Sequence, residues 1–382
     1  MKRLVALLSP VAILFFSIAS SFAQQQIAPT VGVGEYPEFG SSFGVSRDIM
    51  VVGAPTGRDD FAGYVSLFQR KLDGWGFVSR IDPVDTRQFG NLVAISRRWL
   101  IVASWSSNVP YNALDVFERD DLTWRFVQRL GLPVSARNIN ALVASDVGIA
   151  IQTLDFDPEG GVAASHVFGY VFGGSVWGGA QELLVPFPFP RLGYAMAMDG
   201  DRLVASDMSA VSSFVVIQGQ WVHASTIFSP LPASSKFGTA LALCGRHLAV
   251  SSTNYQDQSG MSDQVQLFSG TPLQWRNDGV AFYSGDFGRR FGRSIICDGD
   301  NLAVLSEVQH KVFLLSMDGS SGPQSFEVVD EESQGAFNGV ALGGGDILVA
   351  DSRRPPTHFS NSTGMVYSFN GVIDGIHKDG FE

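Results

Sequence analysis

The sequence has few of the residues that build most metal and redox centres. Of 382 residues only two are cysteine and six are histidine, and charged residues make up 16% of the chain. The histidines lie in six separate segments without a pair at zinc-ligand spacing, and there is no Cys-x-x-Cys. Nor does the chain contain a Gly-x-Ser-x-Gly elbow or a phosphate-cradling glycine loop. The sequence therefore argues against zinc, dithiol, serine-hydrolase and nucleotide chemistry.

Positive charge is also scarce. The chain has 26 basic and 37 acidic residues, a net charge of −11, and no basic cluster. An acidic surface repels phosphate polymers and anionic lipid. We therefore expect no nucleic-acid partner.

Long apolar runs are absent after the first residues. Lys2-Arg3 precede an apolar run over 4–22 that Pro10 interrupts, and Ser21-Phe22-Ala23 follow as a small-residue exit. This pattern predicts a cleaved signal peptide over residues 1–23, with an uncleaved membrane anchor as the alternative. We expect an exported protein, periplasmic, extracellular or on the cell surface, with no membrane span in the mature chain. Loss of Lys2 and Arg3 would leave 24 basic against 37 acidic residues, or −13.

What the chain does contain is a repeat. A frame that opens with a Phe-Gly pair recurs every 45 to 54 residues, starting at Phe39, Phe89, Asn138, Leu192, Phe237, Phe291 and Phe337. The residues eleven to thirteen positions after each start are apolar in every copy, which predicts a strand buried on both faces. The spacing accommodates four short strands and their turns. We therefore predict an all-β fold, a seven-bladed β-propeller of four-stranded antiparallel blades.

The first copy carries the clearest sequence pattern. It reads Phe39-Gly40, then Asp48 in the turn, Val51-Val52 in the strand, and Gly53-Ala54-Pro55 at its end. This stretch resembles the FG-GAP repeat of integrin-type β-propellers. Phe-Gly persists in four copies, whereas only the first keeps Gly-Ala-Pro. The resemblance implies an integrin-like propeller with ligands bound on one face.

Each blade follows the same order of turns and strands. Polar turn residues such as Arg47-Asp48 separate the first two strands, and a third strand is predicted at Gly63 to Phe68 and in four later blades. Tryptophans mark the fourth strand, where their recurrence indicates packing between blades. They are Trp75, Trp124, Trp177, Trp221 and Trp275.

The two chain ends are predicted to meet. The last copy runs through a third strand at 365–369 and lacks a fourth, while 24–33 precede blade one where a fourth strand would stand. We predict that the N-terminal segment completes blade seven and removes an exposed sheet edge. The domain then spans 24–371, with a short tail over 372–382. The ending Asp379-Gly380-Phe381-Glu382 resembles that of many exported proteins of Gram-negative bacteria.

Cys244 and Cys297 follow the first strands of neighbouring blades. A disulfide is one reading for an exported protein. We favour two buried free thiols, because packed side chains should hold adjacent first strands further apart than the ~7 Å between Cα atoms that a bridge tolerates.

One acidic segment has the spacing of a calcium loop. Asp155, Asp157 and Glu159 alternate and precede Gly160, but Ala163 and His166 stand where later ligands would be needed. We favour a solvated acidic loop and expect no cofactor, with calcium as the alternative.

We predict the binding surface on the connections between second and third strands. These are long in five blades, over 56–62, 104–112, 153–166, 252–263 and 351–363. They carry aromatics and arginines, the residue types that dominate interface energetics. The predicted binding residues are Arg58, Phe61, Trp105, Tyr111, Phe156, Tyr255, Arg353, Arg354 and Phe359.

Two functions remain open at this stage. We favour a non-enzymatic, monomeric interaction scaffold that binds a protein or a glycan. The alternative is a carbohydrate-active enzyme, a lyase or a glycosidase, with a site in the central channel. The residues considered for that site are Glu35, Glu38, Asp85, Arg87, Asp286, Arg289, Arg290 and Arg293.

Overall fold

The structure is a computed structural model that describes most of the chain after residue 23. The described ranges are 24–29, 38–56, 62–83, 87–105, 113–133, 138–156, 162–187, 189–230, 236–253, 263–283, 290–317, 323–330, 337–352 and 364–372. Within these ranges all regular structure is β-strand. The described residues form no helix that is long and apolar enough to cross a membrane. The predicted signal peptide and almost all of the C-terminal tail lie outside them.

The described strands form seven separate antiparallel sheets of four strands each, as expected of a seven-bladed propeller. Blades one to four, from the inner strand outward, are β2 (Ser42–Ser46), β3 (Ile49–Ala54), β4 (Tyr64–Lys71), β5 (Gly74–Ile81); β6 (Arg87–Ile95), β7 (Trp99–Trp105), β8 (Ala113–Asp120), β9 (Thr123–Leu130); β10 (Ile139–Ala144), β11 (Gly148–Phe156), β12 (Val162–Val171), β13 (Gln181–Glu182); and β14 (Met196–Asp199), β15 (Arg202–Ser206), β16 (Ala210–Ile217), β17 (Gln220–Phe228). Blades five to seven are β18 (Phe237–Cys244), β19 (His247–Ser252), β20 (Gln264–Thr271), β21 (Gln274–Tyr283); β22 (Phe291–Asp298), β23 (Asn301–Ser306), β24 (Lys311–Ser316), β25 (Gln324–Glu327); and β26 (Phe337–Gly343), β27 (Asp346–Asp351), β28 (Met365–Phe369), β1 (Gln24–Ile27). The all-β prediction is confirmed.

The core is divided among the interfaces between blades. The described residues form seven apolar clusters, one between each pair of neighbouring blades, including blades seven and one. In β3, Met50 and Val52 pack toward blade seven, whereas Ile49 and Val51 pack toward blade two. Successive side chains of a strand point to opposite faces. This alternation is why the second strands read as unbroken apolar runs.

The Phe-Gly pairs have two separate physical roles. The frame phenylalanines are buried and meet an aromatic ring of the third strand edge to face, as Phe39 meets Phe68 at 6.1 Å between centroids. The following glycines have left-handed φ angles, +87° at Gly40 and +88° at Gly238. A side chain in that conformation is strained, so glycine is required there.

The tryptophans pack between blades, as predicted. Trp75 of blade one donates its indole N–H to the carboxylate of Asp346 in blade seven, at 2.9 Å. Trp221 lies 3% exposed against the backbone of Gly148 and Gly169 in blade three. Trp177, by contrast, stands four residues before the fourth strand of its blade. It therefore marks that strand from outside it.

Blade seven is closed by the N-terminal strand, which confirms the predicted closure. β1 pairs antiparallel with β28, with Gln24 opposite Phe369 and Ile27 opposite Val366. Ile27 is 4% exposed in the cluster between blades seven and one. Because this outer strand comes from the chain start, early and late sequence join in one sheet.

The expectation of free thiols at Cys244 and Cys297 is wrong. The two form a disulfide between the inner strands of blades five and six, with their Cα atoms 6.1 Å apart. The sequence argument assumed that packed side chains separate these strands widely. Propeller blades converge toward their inner strands, so neighbouring inner strands come within disulfide range.

Candidate binding face

The repeat gives the molecule two different faces. On the upper face the inner strands begin, the second and third strands connect, and the chain passes from one blade to the next. On the lower face lie the turns between first and second and between third and fourth strands. This division follows from four antiparallel strands in sequence order, which the registers of blade one show.

Most predicted binding residues lie outside the described residues. These undescribed residues are Arg58, Phe61, Tyr111, Tyr255, Arg353, Arg354 and Phe359. The backbone of Trp105 ends β7 opposite Arg87. Phe156 is the predicted residue whose side chain is described, and it is 50% exposed. A binding role for the set remains a prediction.

Some predicted loops are shorter than expected. In blade three, β11 continues to Phe156 and β12 resumes at Val162, so most of the predicted 153–166 loop is paired strand. Ser104 and Trp105, Ser252, and Asp351 also belong to strands. Hydrogen bonding across the hairpin extends these strands beyond their apolar residues, which the sequence pattern does not reveal.

The acidic segment of blade three is partly described. Asp155 lies in β11, and its carboxylate is 3.5 Å from Nε2 of His166, whose Nδ1 is 2.7 Å from a carboxylate oxygen of Glu182. The imidazole thus bridges two carboxylates across three strands. Asp157 and Glu159 lie outside the described residues. The carboxylate of Asp155 therefore has the imidazole of His166 as its partner in the structure.

Two of the residues considered for a channel site come together on one carboxylate. Arg290 and Arg293 each place a guanidinium nitrogen on Glu307, at 3.0 and 2.7 Å. The Glu307 side chain is 10% exposed, whereas the arginines are almost half exposed. Glu38 is exposed, and the side chains of the other five residues considered for that site are not described. The arrangement is an upper-face cluster with two cations and one anion.

Sequence reasoning missed an exposed aromatic cluster on the upper face. Phe187 and Phe189 lie on the connection from blade three to blade four, and Phe228 ends β17. The ring of Phe187 is 5.1 Å from that of Phe228 and 6.0 Å from that of Phe189, between centroids. We call Phe187, Phe189 and Phe228 the phenylalanine cluster.

Two members of the phenylalanine cluster face solvent. Phe187 is 42% and Phe228 55% exposed, while Phe189 packs against the core between blades three and four. The sequence signal is the alternation Pro-Phe-Pro-Phe-Pro over 186–190. Prolines stiffen a connection and remove backbone donors, so such a segment resists collapse onto the sheet. Exposed, contiguous aromatic surface of this kind marks an interaction site more often than an isolated apolar residue does.

Cationic residues follow the phenylalanine cluster along the same face. Arg191, on the same connection as Phe187 and Phe189, is exposed, and its carbonyl accepts a hydrogen bond from the backbone of Tyr194. Tyr194 itself is 41% exposed. Lys236 directly precedes the inner strand of blade five and has a left-handed φ of +44°. Arg290 directly precedes the inner strand of blade six and has a φ of +60°.

These left-handed residues belong to the repeat. Glu38 and Gln88, which precede the Phe-Gly pairs of blades one and two, have φ of +48° and +50°. A non-glycine residue in this region is strained by roughly 1–3 kcal/mol. Because the strain recurs at one position in four blades, it reflects how the chain turns into the inner strand.

Comparisons with known proteins identify the architecture. No family model matches the chain. No curated protein matches it either. Among solved structures, the chain is similar to the β-propeller domain of Cps50 (Swd1) from Myceliophteria thermophila, with 13% identity, a TM-score of 0.57 and coverage of 90% of this chain and 99% of that one.

A second similar structure is Hsv2 from Kluyveromyces marxianus, with 13% identity, a TM-score of 0.51 and coverage of 81% and 88%. A 6-phosphogluconolactonase-like protein from Bacteroides uniformis reaches 14% identity and a TM-score of 0.48, over 72% and 80%. At such identities the likeness concerns the fold alone. The chain is a seven-bladed β-propeller by architecture, and its function has to be argued from its own surface.

Proposed function

We propose that this protein is an exported, non-enzymatic interaction scaffold of the integrin-like FG-GAP type, which binds a protein or a glycan through its upper face. The observation that carries the proposal is the phenylalanine cluster, with Phe187 and Phe228 exposed on the same face as the long connections. A rigid ring of blades presenting aromatic side chains is suited to recognition. Of the predicted binding residues, Phe156 ends the second strand of blade three and is also exposed.

Export is part of the proposal. It rests on the predicted signal peptide over 1–23 and gains support from the disulfide between Cys244 and Cys297. Structural disulfides persist in oxidising compartments and are rare in the cytosol of most organisms. Fractionation of the native host, with the free thiols of the purified protein counted, would test this part. Uncleaved protein in the cytosol with two titratable thiols would contradict it.

The binding function can be tested by direct measurement. Purified mature protein is screened on a glycan array and against purified envelope proteins, and affinities are measured for each hit. We expect Phe187→Ser with Phe228→Ser to weaken binding by about tenfold or more, because exposed aromatics at an interface contribute more than 1 kcal/mol each. The matched control is Leu273→Ser, which removes a 71% exposed side chain from the lower face.

The long connections provide a second set of variants. Single changes of Trp105, Tyr255 and Arg354 to alanine should weaken binding by about 1 kcal/mol or more at some positions while the melting temperature stays nearly constant. Unchanged affinity in these variants and in the phenylalanine variant would place the ligand elsewhere.

One observation favours the enzymatic alternative. Glu307 pairs with two arginines of the upper face, and guanidinium groups held in this way could bind a sugar carboxylate. Products of incubation with each bound glycan can be followed by mass spectrometry. Cleavage that Glu307→Gln abolishes would establish the enzyme; intact glycan after long incubation supports the scaffold.

A further inference from the structure

Blade four departs from blades one and two at two positions of its outer strand. In all three blades these positions lie opposite equivalent residues of the third strand, because the strand registers coincide. Blades one and two carry a phenylalanine followed by an arginine, namely Phe77 and Arg80, and Phe126 and Arg129. Blade four carries His223 and Thr226 instead. A hydrogen-bonding ring and a short hydroxyl side chain thus replace an apolar ring and a long cation.

The two arginines lie along their own blades. The guanidinium carbon of Arg80 is 5.0 Å from the centroid of the Tyr64 ring. Nε of Arg129 is 2.6 Å from a carboxylate oxygen of Asp115. Tyr64 belongs to the cluster between blades seven and one, so Arg80 covers the side of its blade that faces the preceding blade. Because Thr226 is much shorter than arginine, the side of blade four that faces blade three is less filled at this level.

The Thr226 hydroxyl is held in place by two neighbours. Its oxygen lies 3.0 Å from the hydroxyl of Ser212 and 3.0 Å from Nε2 of His223. Ser212 is buried, whereas Thr226 and His223 are half-buried. A hydroxyl has one donor and two acceptor sites, so two hydrogen bonds leave one of the three for a ligand.

The phenylalanine cluster lies on the same side of blade four. Alternate residues of a strand point to one face, so Thr226 and Phe228 share it, about 7 Å apart along β17. His223 faces the same way, because its ring is 5.6 Å from that of Phe214 in the cluster between blades three and four. The rings of Phe187 and Phe228 stand at 81° to each other. They form a corner above Thr226 on this side of the strand.

This combination matches the chemistry of a neutral sugar. The C–H groups on one side of a pyranose ring carry slight positive charge and pack against the negative face of an aromatic ring. Sugar hydroxyls both donate and accept hydrogen bonds, so one of them can use the remaining site of Thr226. The side chains named for this site are uncharged at neutral pH, since burial lowers the pKa of His223.

The size of the surface also favours a sugar over a protein. A phenylalanine side chain buries about 150–250 Å² when it is fully covered, so Phe187 and Phe228, at 42% and 55% exposure, offer about 200 Å². A stable protein partner needs about 800 Å² on each side. One or two sugar rings fit the smaller area.

We propose that the side of blade four that faces blade three binds a neutral oligosaccharide at the upper face, with a sugar ring in the corner between Phe187 and Phe228 and a sugar hydroxyl on Thr226. This inference rests on the proposed binding function and specifies the ligand class for the same face. Thr226 sets specificity among sugars, because a hydroxyl of the bound ring has to reach its oxygen.

The experiment measures the binding of three neutral tetrasaccharides to the full mature protein by calorimetry. The probes are cellotetraose, maltotetraose and mannotetraose, and we expect at least one of them to bind. Thr226→Val should weaken that binding about threefold to tenfold, the effect of one lost neutral hydrogen bond, while Thr226→Ser should retain most of the affinity. The control is Thr123→Val, which removes an exposed hydroxyl at the lower face of blade two. Equal affinities of parent and Thr226→Val would overturn the role of Thr226.

A further variant tests the space beside the phenylalanine cluster. Thr226→Arg restores the residue type of blades one and two and should abolish tetrasaccharide binding. The melting temperature of each variant is measured alongside, and if Thr226→Arg does not fold, the comparison of Thr226→Val with Thr226→Ser decides. Binding that Thr226→Arg leaves intact would overturn the placement of the site.

The remaining outcomes separate this inference from the function that it rests on. If no tetrasaccharide binds, but an array ligand or an envelope protein does and the Phe187→Ser/Phe228→Ser variant loses it, the neutral sugar is wrong and the scaffold function stands. Tetrasaccharide binding that the phenylalanine variant leaves unchanged would overturn the site on blade four.

Discussion

At the scale of single residues, the frame glycine Gly238 is constrained both by its backbone conformation and by its neighbours. Gly238 has φ of +88°, and a Cβ at that position would lie 2.6 Å from Cβ of Ser206 in the neighbouring blade. Ser206 also donates its hydroxyl to the carbonyl of Gly238, at 2.6 Å. Backbone conformation and the close approach of two blades therefore both require a residue without a side chain.

Gly238→Ala should destabilise the protein by about 2 kcal/mol or more, because it adds left-handed strain and a clash with a buried neighbour. Urea unfolding measures the change. The matched control is Gly131→Ala, since Gly131 has no atom within 4 Å of an added Cβ and no left-handed φ. Equal stability of the two variants would contradict this account.

The environment of His223 should make the free energy of unfolding depend on pH. Burial lowers the pKa of His223, opposed in part by a backbone hydrogen bond with Ser225. The ring stands edge to face on Phe214, with Nε2 3.0 Å from the Thr226 hydroxyl. The folded protein thus disfavours protonation of this histidine relative to the unfolded chain.

The sign of the effect follows by linkage. Between the lowered folded pKa and the unfolded value of about 6.5, the unfolded chain binds more protons, so stability is lost as pH falls below about 6.5 and the loss levels off below the folded pKa. We expect the unfolding free energy of the parent to fall relative to His223→Gln over this window. Parallel pH profiles of parent and variant in urea titrations would refute the prediction.

At the scale of elements, glutamine side chains join adjacent blades. Each side-chain amide bonds both the backbone N–H and the backbone carbonyl of a tryptophan in the next blade. The amide of Gln25 in β1 donates to the carbonyl of Trp75 at 3.0 Å and accepts from its N–H at 2.8 Å. Gln128 makes the same two bonds with Trp177, and Gln181 makes them with Trp221. Each of these glutamines satisfies the backbone N–H and carbonyl of a tryptophan in the next blade.

Gln25→Ala should cost about 1–2 kcal/mol, since it leaves both the N–H and the carbonyl of Trp75 without this partner. Gln26→Ala is the matched control, because Gln26 lies on the same strand with its side chain exposed. Thermal melting of the two variants measures the difference. A melting temperature lowered equally in both would point to strand propensity instead of these two hydrogen bonds.

Removal of the whole closing segment should have a larger effect. Deletion of residues 24–34 exposes the edge of β28 and uncovers the cluster to which Ile27 belongs. We expect a sharp fall in melting temperature and a tendency to aggregate, because an unpaired strand edge is a template for other chains. A deleted protein that melts like the parent would show that closure adds little stability.

At the scale of the whole molecule, a buried ion pair and a disulfide between neighbouring blades add to the apolar packing and the glutamine side chains. Between blades seven and one, the buried carboxylate of Asp346 pairs with Arg70 at 2.5 Å and accepts from the indole of Trp75. Between blades five and six, the tie is the disulfide of Cys244 and Cys297. Both ties lie toward the lower face, at the turns between first and second strands, and they fix neighbouring blades relative to one another.

Replacement of both cysteines by alanine should lower the free energy of unfolding by up to about 4 kcal/mol, given the 53-residue separation of the pair. Chemical denaturation of the variant and of the parent, with and without reductant, measures this. Reductant should destabilise the parent and leave the variant unchanged. A parent insensitive to reductant, with two reactive thiols after unfolding, would contradict the disulfide.

The sequence by itself determined the number of blades, the order of their strands and the closure by the N-terminal segment. These features depend on local signals that recur. Met50 and Val52 read as a buried strand because both faces of every blade are covered, and the short polar sequence after 365–369 predicted that a fourth strand would come from the chain start, where β1 supplies it. Periodicity repeated seven times outweighs the weakness of any single copy.

The tertiary structure alone decided which residues from different blades and connections contact each other. The disulfide depends on how closely two inner strands converge, a distance that no strand pattern encodes. The phenylalanine cluster depends on Phe228 meeting Phe187 from a segment about forty residues away, and the pairing of Arg290 and Arg293 depends on a turn that presents Glu307. Contacts between elements distant in the chain are set by the packing of blades, so the composition of the candidate site emerged only when the ring was assembled.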